Sequence, residues 1–392
     1  MIKKWLLRIG GGVVGLLVLI IAVTAVRNRN LPTHSSVVEH LSDLEKARLA
    51  ELFHLRAALG DAVWPGWGAE EIPVIVYNEA YAFLIGYPDA EPPAGWVKVP
   101  AEERRGGPWE IVPEDTFQGQ PYYRQPLSSP DKTPENFTVL VGDHWVATMQ
   151  TKEYAAVAFY NGFREDLPGF LRPIFPYRLV WGLLIDSTET YVGGLAHEAF
   201  HAYQGRVAPA RLYATERAAT FEDRYPWEND ALEQRWQEEL SLLHQAVKAS
   251  SEAEARDLAE QFLAQRAARR AAGGMTTRGI EFERQREWLE GLAKYAELSI
   301  GLEAARAPGY EPVAALEADP AFKHYTTRER FWSRQVDEVQ RMQNRSGGVR
   351  FYYSGMAQAV LLDRLIPNWK ARVWDEDVWL EDLLTEAVEE GP

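Results

Sequence analysis

His197, Glu198 and His201 stand in the run from Tyr191 to Gln204, at a spacing that suits metal chemistry. Around them Val192, Leu195, Ala196, Ala199 and Ala202 lie one, three or four apart, the stripe of a buried helix. Imidazoles four residues apart on a helix project from one face and can close on one Zn²⁺. Glu198 sits about 100° further round and reaches a water beside the metal without being a ligand. Gly193 and Gly194, one turn earlier, leave that face without side chains, which would let a substrate approach. H-E-x-x-H on a helix is the mechanical pattern of a zinc hydrolase. The competing reading is a helix whose two histidines face water or satisfy a core.

A catalytic zinc needs a third protein ligand and an open position. The chain has no cysteine, so thiolate zinc sites, disulfides and a cysteine nucleophile are all excluded. A third histidine at the spacing H-E-x-x-H-x-x-G-x-x-H is excluded too, because Gln204 and Val207 occupy the required positions. A glutamate from a later helix remains, and Glu222 and Glu290 both qualify. Glu290 lies beside the apolar stripe Phe282, Leu289, Leu292, Ala293, Ala296 and Ile300, so it is expected to be half-buried and aimed inward. Gly291 next to it lets another backbone come close. Glu222 precedes Tyr225 and Pro226, where a helix is ending. Glu297, two turns beyond Glu290, could orient a ligand histidine from behind.

The segment from Glu290 to Glu297 (Glu-Gly-Leu-Ala-Lys-Tyr-Ala-Glu) resembles the E-G-x-A-x-Y-x-E segment of gluzincin metallopeptidases, H-E-x-x-H enzymes whose third ligand is a glutamate. The resemblance covers the two motif helices. It implies that Glu290 is the ligand beside His197 and His201, with one Zn²⁺ per chain, a zincin-like α+β fold and a peptide or protein substrate. Glu198 would be the general base, taking a proton from water and passing it to the leaving amine. It also implies an oxyanion donor from a later helix, and by position Tyr352 and Tyr353, just before Ser354 and Gly355, are the candidates. The separation departs from the pattern, since helices starting near Asp230 and Ser251 intervene, which keeps Glu222 as a rival. His144 and His324 read as lone structural histidines.

The elements that must hold these residues follow from texture. Ile9 to Val26 is an uncharged, mostly apolar run bounded by Lys3, Lys4 and Arg8 before and Arg27 and Arg29 after. Residues 1–30 are therefore expected to be a single membrane anchor, or a cleaved signal peptide. The basic flanks put the amino terminus in the cytoplasm and the body outside, periplasmic or extracellular, or secreted if cleaved. Residues 31–150 read as a helix from about Ser35 to Leu59 and then antiparallel strands with long loops. Gly142-Asp143 marks a hairpin turn. A free strand edge there could take up an extended peptide. Residues 151–392 read as mostly helical, with helices from about Asp230 to Val247, Ser251 to Ala272, Gly279 to Leu302, Ser354 to Ile366 and Asp377 to Val388.

The net charge is −15, and because the first 30 residues hold five basic side chains and no acid, the remainder carries −20. So acidic a body is a poor nucleic-acid binder. The expectation is thus a membrane-anchored zinc metallopeptidase. A zinc-dependent hydrolase of other amides, and an inactive peptidase-like envelope scaffold, are the alternatives.

Overall fold

The computed structural model describes residues 19–100, 103–127, 138–185, 187–227, 229–342, 345 and 347–389. Helix α1 (Asp43–Val63) leads into eight strands: β1 (Val74–Tyr77), β2 (Tyr81–Ile85), β3 (Trp96–Lys98), β4 (Glu103–Arg105), β5 (Glu110–Ile111), β6 (Tyr123–Pro126), β7 (Thr138–Val141) and β8 (His144–Gln150). After them the described chain is helical. Its helices are α2 (Lys152–Asp166), α3 (Tyr177–Leu184), α4 (Thr188–Val207), α5 (Pro209–Ala219), α6 (Asp230–Lys248), α7 (Glu252–Ala272) and α8 (Thr277–Arg286). A π-helical turn (Glu287–Gly291) joins α8 to α9 (Leu292–Arg306), and α10 (Arg328–Arg341), α11 (Val349–Leu365), α12 (Trp369–Arg372) and α13 (Leu380–Glu389) follow. The molecule is α+β, with one helix before the strands and the remaining helices after them.

All the strands form one sheet in the order β4-β3-β7-β8-β1-β2-β6-β5. Alternation along the strands sends Val74, Val76, Phe83, Ile85 and Ala147 into the main core with the helices. Ile75, Tyr77, Ala82, Leu84 and Val146 go to a second core on the other face. The β7–β8 hairpin turns at Gly142-Asp143 with Val141 opposite His144. Gly142 has φ +60°, the left-handed conformation a two-residue hairpin turn asks of its first residue.

Several expectations are corrected. The sheet is mixed: β1 runs parallel to β8, with Val74 opposite Ala147, while its other pairings are antiparallel. Sequentially distant strands meet there, and alternation within a strand carries no information about direction. Helix α1 starts at Asp43, not near Ser35, because Ser42 caps it by accepting from the Glu45 amide. It runs through Gly60 because that residue packs against Gly68, where a Cβ would lie 2.8 Å from Gly68 Cα.

The membrane anchor is corrected as well. No helix among the described residues is long and apolar enough to cross a membrane. Residues 19–28 are helical, too few for the roughly 20 that a bilayer core requires, and residues 9–18 of the apolar run lie outside the described residues. The single-pass location with the body outside, which rested on that anchor, has no spanning helix to support it.

Candidate metal centre

Helix α4 carries both histidines. Ser187 caps it by accepting from the Thr190 amide at 3.3 Å, and almost every residue from Thr188 to Gly205 is buried. It lies against β8, with Gly194 under Met149 and Gly205 under Trp145, where a Cβ would come within 3.1 and 2.5 Å of the neighbouring side chain. Gly193 faces Glu297 and Arg328. These glycines therefore let the helix pack on the sheet and on its neighbours, and do not open a path for substrate as the sequence suggested.

The π-helical turn supplies the third group. A wider turn shifts the residues after it relative to a continuous α-helix, and Glu290 lies within it. There the chain meets α11 backbone to backbone: a Cβ on Gly291 would fall 2.4 Å from Gly355 Cα, and one on Gly355 2.4 Å from Glu287 O. The close approach brings Tyr352, one turn before Gly355, to the same place. Its ring lies parallel to that of His197 with centroids 5.8 Å apart.

His197, His201 and Glu290 form a buried group able to hold a metal ion. His197 Nε2 and His201 Nε2 are 3.1 Å apart, and Glu290 Oε2 is 3.4 Å from each. Ligands about 2.0–2.1 Å from a tetrahedral zinc stand about 3.3–3.4 Å from one another, so the triangle fits such an ion. The set of two imidazoles and a carboxylate also suits zinc chemically.

Each ligand is held from behind. Gln204 Oε1 accepts from His201 Nδ1 at 2.8 Å, which turns Nε2 inward. Its amide group donates to Trp288 O at 2.9 Å and Leu289 O at 3.3 Å in the π-turn. Glu297 Oε2 lies 3.3 Å from His197 Nδ1, within ion-pair range but without hydrogen-bond alignment. Lys294 holds Glu297 at 2.8 Å. Arg286 Nη2 forms an ion pair with Glu290 Oε1 at 2.9 Å, leaving Oε2 to face the histidines.

Burial and the facing charges act against each other across the group. Burial disfavours a charged His197, yet the Glu290 and Glu297 carboxylates outweigh it and hold its pKa up at about 10. Burial would raise Glu290, but His197, His201 and Arg286 pull it well below the usual carboxylate range. Glu297, opposed by burial, is brought down to about 2 by Lys294 and His197. Glu198 goes the other way, because burial raises it more than the two histidines lower it.

The group opens on a cavity of about 260 Å³ lined also by Glu198, Tyr352, Arg286, Glu216, Glu222 and Thr138. Burial, with Glu290 second, raises the Tyr352 phenol. Burial also raises Glu216. The Thr138 hydroxyl, at the head of β7, is buried without a hydrogen-bond partner.

His197, Glu198, His201, Glu290 and Tyr352 come together, with Glu297 behind them. Glu222 lines the cavity and accepts from the Gly348 amide at 3.1 Å, outside the converging trio. Tyr353 does not line the cavity, and its hydroxyl donates to Gln335 Oε1 at 2.9 Å. His144 pairs with Asp89 and His324 with Glu317, and neither lines the cavity. Gln204, Arg286 and Glu216 were not foreseen. Two of them had a signal, since Gln204 is three residues after His201 and Arg286 four before Glu290, each on its ligand's face. No protein-family model, no curated protein and no solved structure matches the chain.

Proposed function

We propose that the protein is a zinc-dependent peptidase of gluzincin type, in which His197, His201 and Glu290 hold one zinc ion and Glu198 is the general base. One observation carries the reading: three ligand atoms converge at tetrahedral spacing, and Glu198 borders the same cavity. Among the described residues Glu198 has no hydrogen-bond or ion-pair partner, so its carboxylate is free to accept a proton. A scaffold would have no use for that combination.

Zinc, when bound, supplies a Lewis acid that polarises the scissile carbonyl and lowers the pKa of a water to about 7. Glu198 takes a proton from the attacking water and hands it to the departing amine, so the amide C–N bond breaks once the new C–O bond has formed. The Tyr352 hydroxyl and the Arg286 guanidinium border the cavity as donors for the charge that develops on the carbonyl oxygen. Gln204 and Glu297 keep the imidazoles turned inward.

Glu198→Gln removes the base and leaves the ligands intact. It is expected to retain zinc while peptide hydrolysis falls at least about 10²-fold, measured on a peptide library with metal content determined in parallel. Turnover retained in that variant would reject the reading.

A further inference from the structure

A large cleft lies away from the candidate metal centre, between α1, β2 and the segment at residues 117–123, with a volume of about 840 Å³. Phe53, Ile72, Leu84, Tyr87, Phe117 and Pro121 give it mostly apolar walls. One of its lining residues is Arg56, whose side chain is charged yet only 5% of the residue is exposed.

Several buried arginines elsewhere in this protein are better matched, although Arg350, like Arg56, has one hydrogen bond to a carbonyl, at 2.6 Å to Arg345 O, and a buried Nε without a partner. Arg266 and Arg269 each meet two or more glutamates, Arg48 meets Glu45 and Asp319, and Arg211 donates to three carbonyls. Arg56 has a single hydrogen bond, from Nη2 to Glu70 O at 2.8 Å. Its Nε is buried without a partner, and no carboxylate among the described residues pairs with it. Burial, only partly offset by Glu70, depresses its pKa to about 10. Leaving a buried guanidinium so poorly paired is costly. Three acids border the cleft: Glu70 faces Arg206 at 3.5 Å, Asp89 faces His144 at 2.9 Å, and Glu71 is exposed to solvent.

We infer that this cleft is a second ligand site, which takes a small apolar carboxylate with its head on Arg56 and its aliphatic or aromatic body along the apolar walls. The volume falls in the range of pockets that enclose small molecules, which combine apolar linings with a few fixed polar groups. A bidentate carboxylate would give the guanidinium the anion it lacks. The site is independent of the hydrolytic reading.

The test uses the full chain and anilinonaphthalene sulfonate, a fluorescent probe with an apolar body and an anionic head. Saturable binding is expected, with decanoate displacing the probe at least about tenfold better than decanol, since a charged hydrogen bond separates the two. Arg56→Met should weaken the probe and decanoate by at least about tenfold while decanol binding persists. Ala57→Trp, at an exposed helical position bordering the cleft, should weaken all three by filling it and leaves Arg56 in place. It decides the question if Arg56→Met fails to fold by far-ultraviolet circular dichroism. No saturable binding to the parent, equal displacement by acid and alcohol, or unchanged binding in a folded Arg56→Met or in Ala57→Trp would overturn the proposal.

Discussion

Behind each of the three candidate ligands stands a second polar side chain: Gln204 behind His201, Glu297 behind His197 and Arg286 behind Glu290. Such partners fix ring tautomer and ligand direction, and their loss typically costs 10- to 100-fold in metal affinity. Gln204 is the most informative, because its oxygen orients a ligand while its nitrogen ties the π-turn carrying another. Gln204→Leu is therefore expected to weaken zinc binding about 10- to 100-fold in competition with a chromophoric chelator; an unchanged affinity would show that the histidine needs no such support. Residue chemistry was the most legible level in the sequence. Two histidines and a glutamate at helical spacing define their own geometry, and Glu290 was marked by an apolar stripe on one side and Gly291 on the other. Choosing Tyr352 over Tyr353 was beyond local pattern, because adjacent helical residues point about 100° apart and only the contact with α4 determines which faces the metal group.

At the level of elements, the decisive contact is the crossing of α11 over the π-turn at Gly355 and Gly291. Neither glycine has room for a Cβ, since on Gly355 it would stand 2.4 Å from Glu287 O and 2.8 Å from Gly291 Cα. Gly355→Ala must push the two segments apart, at a cost of about 1–3 kcal/mol or more, and should also weaken zinc binding by displacing Glu290. Gly162→Ala in α2, where a Cβ meets nothing within 4 Å, is the control and should be neutral or stabilising by up to about 1 kcal/mol. Urea denaturation of both variants makes the comparison, and equal stabilities would refute the close crossing. The helix from Gly279 to Leu302 was expected as one continuous element. The π-turn inside it left no mark on the apolar period, because the stripe resumes on α9 facing the same core. Strand direction escaped for a related reason: β1 reads the same beside a parallel or an antiparallel neighbour.

The whole molecule holds its charge differently from what composition suggests. A net charge of −15 reads as a solvated surface, yet part of it is internal. Arg266 and Arg269 on α7 bind Glu239 from α6, Glu283 from α8, Glu381 from α13 and Glu287 at the start of the π-turn. Ser354 of α11 also donates to Glu287, at 2.5 Å. That network ties the turn carrying Glu290 to five helices, and it was illegible in the sequence because its partners come from separate elements. The same holds for the metal group, whose His197 and Glu290 are 93 residues apart and meet only in the folded chain. A metal bound there binds the native state alone and stabilises it in proportion to its affinity. The central claim is tested most directly by measuring zinc per chain, with its effect on thermal unfolding, in the parent, Glu290→Gln and Glu222→Gln. About one zinc and a raised Tm are expected in the parent and in Glu222→Gln, with binding at least about tenfold weaker in Glu290→Gln. Full zinc in Glu290→Gln would contradict its place as third ligand, and a parent that takes up no zinc after reconstitution would contradict the centre itself.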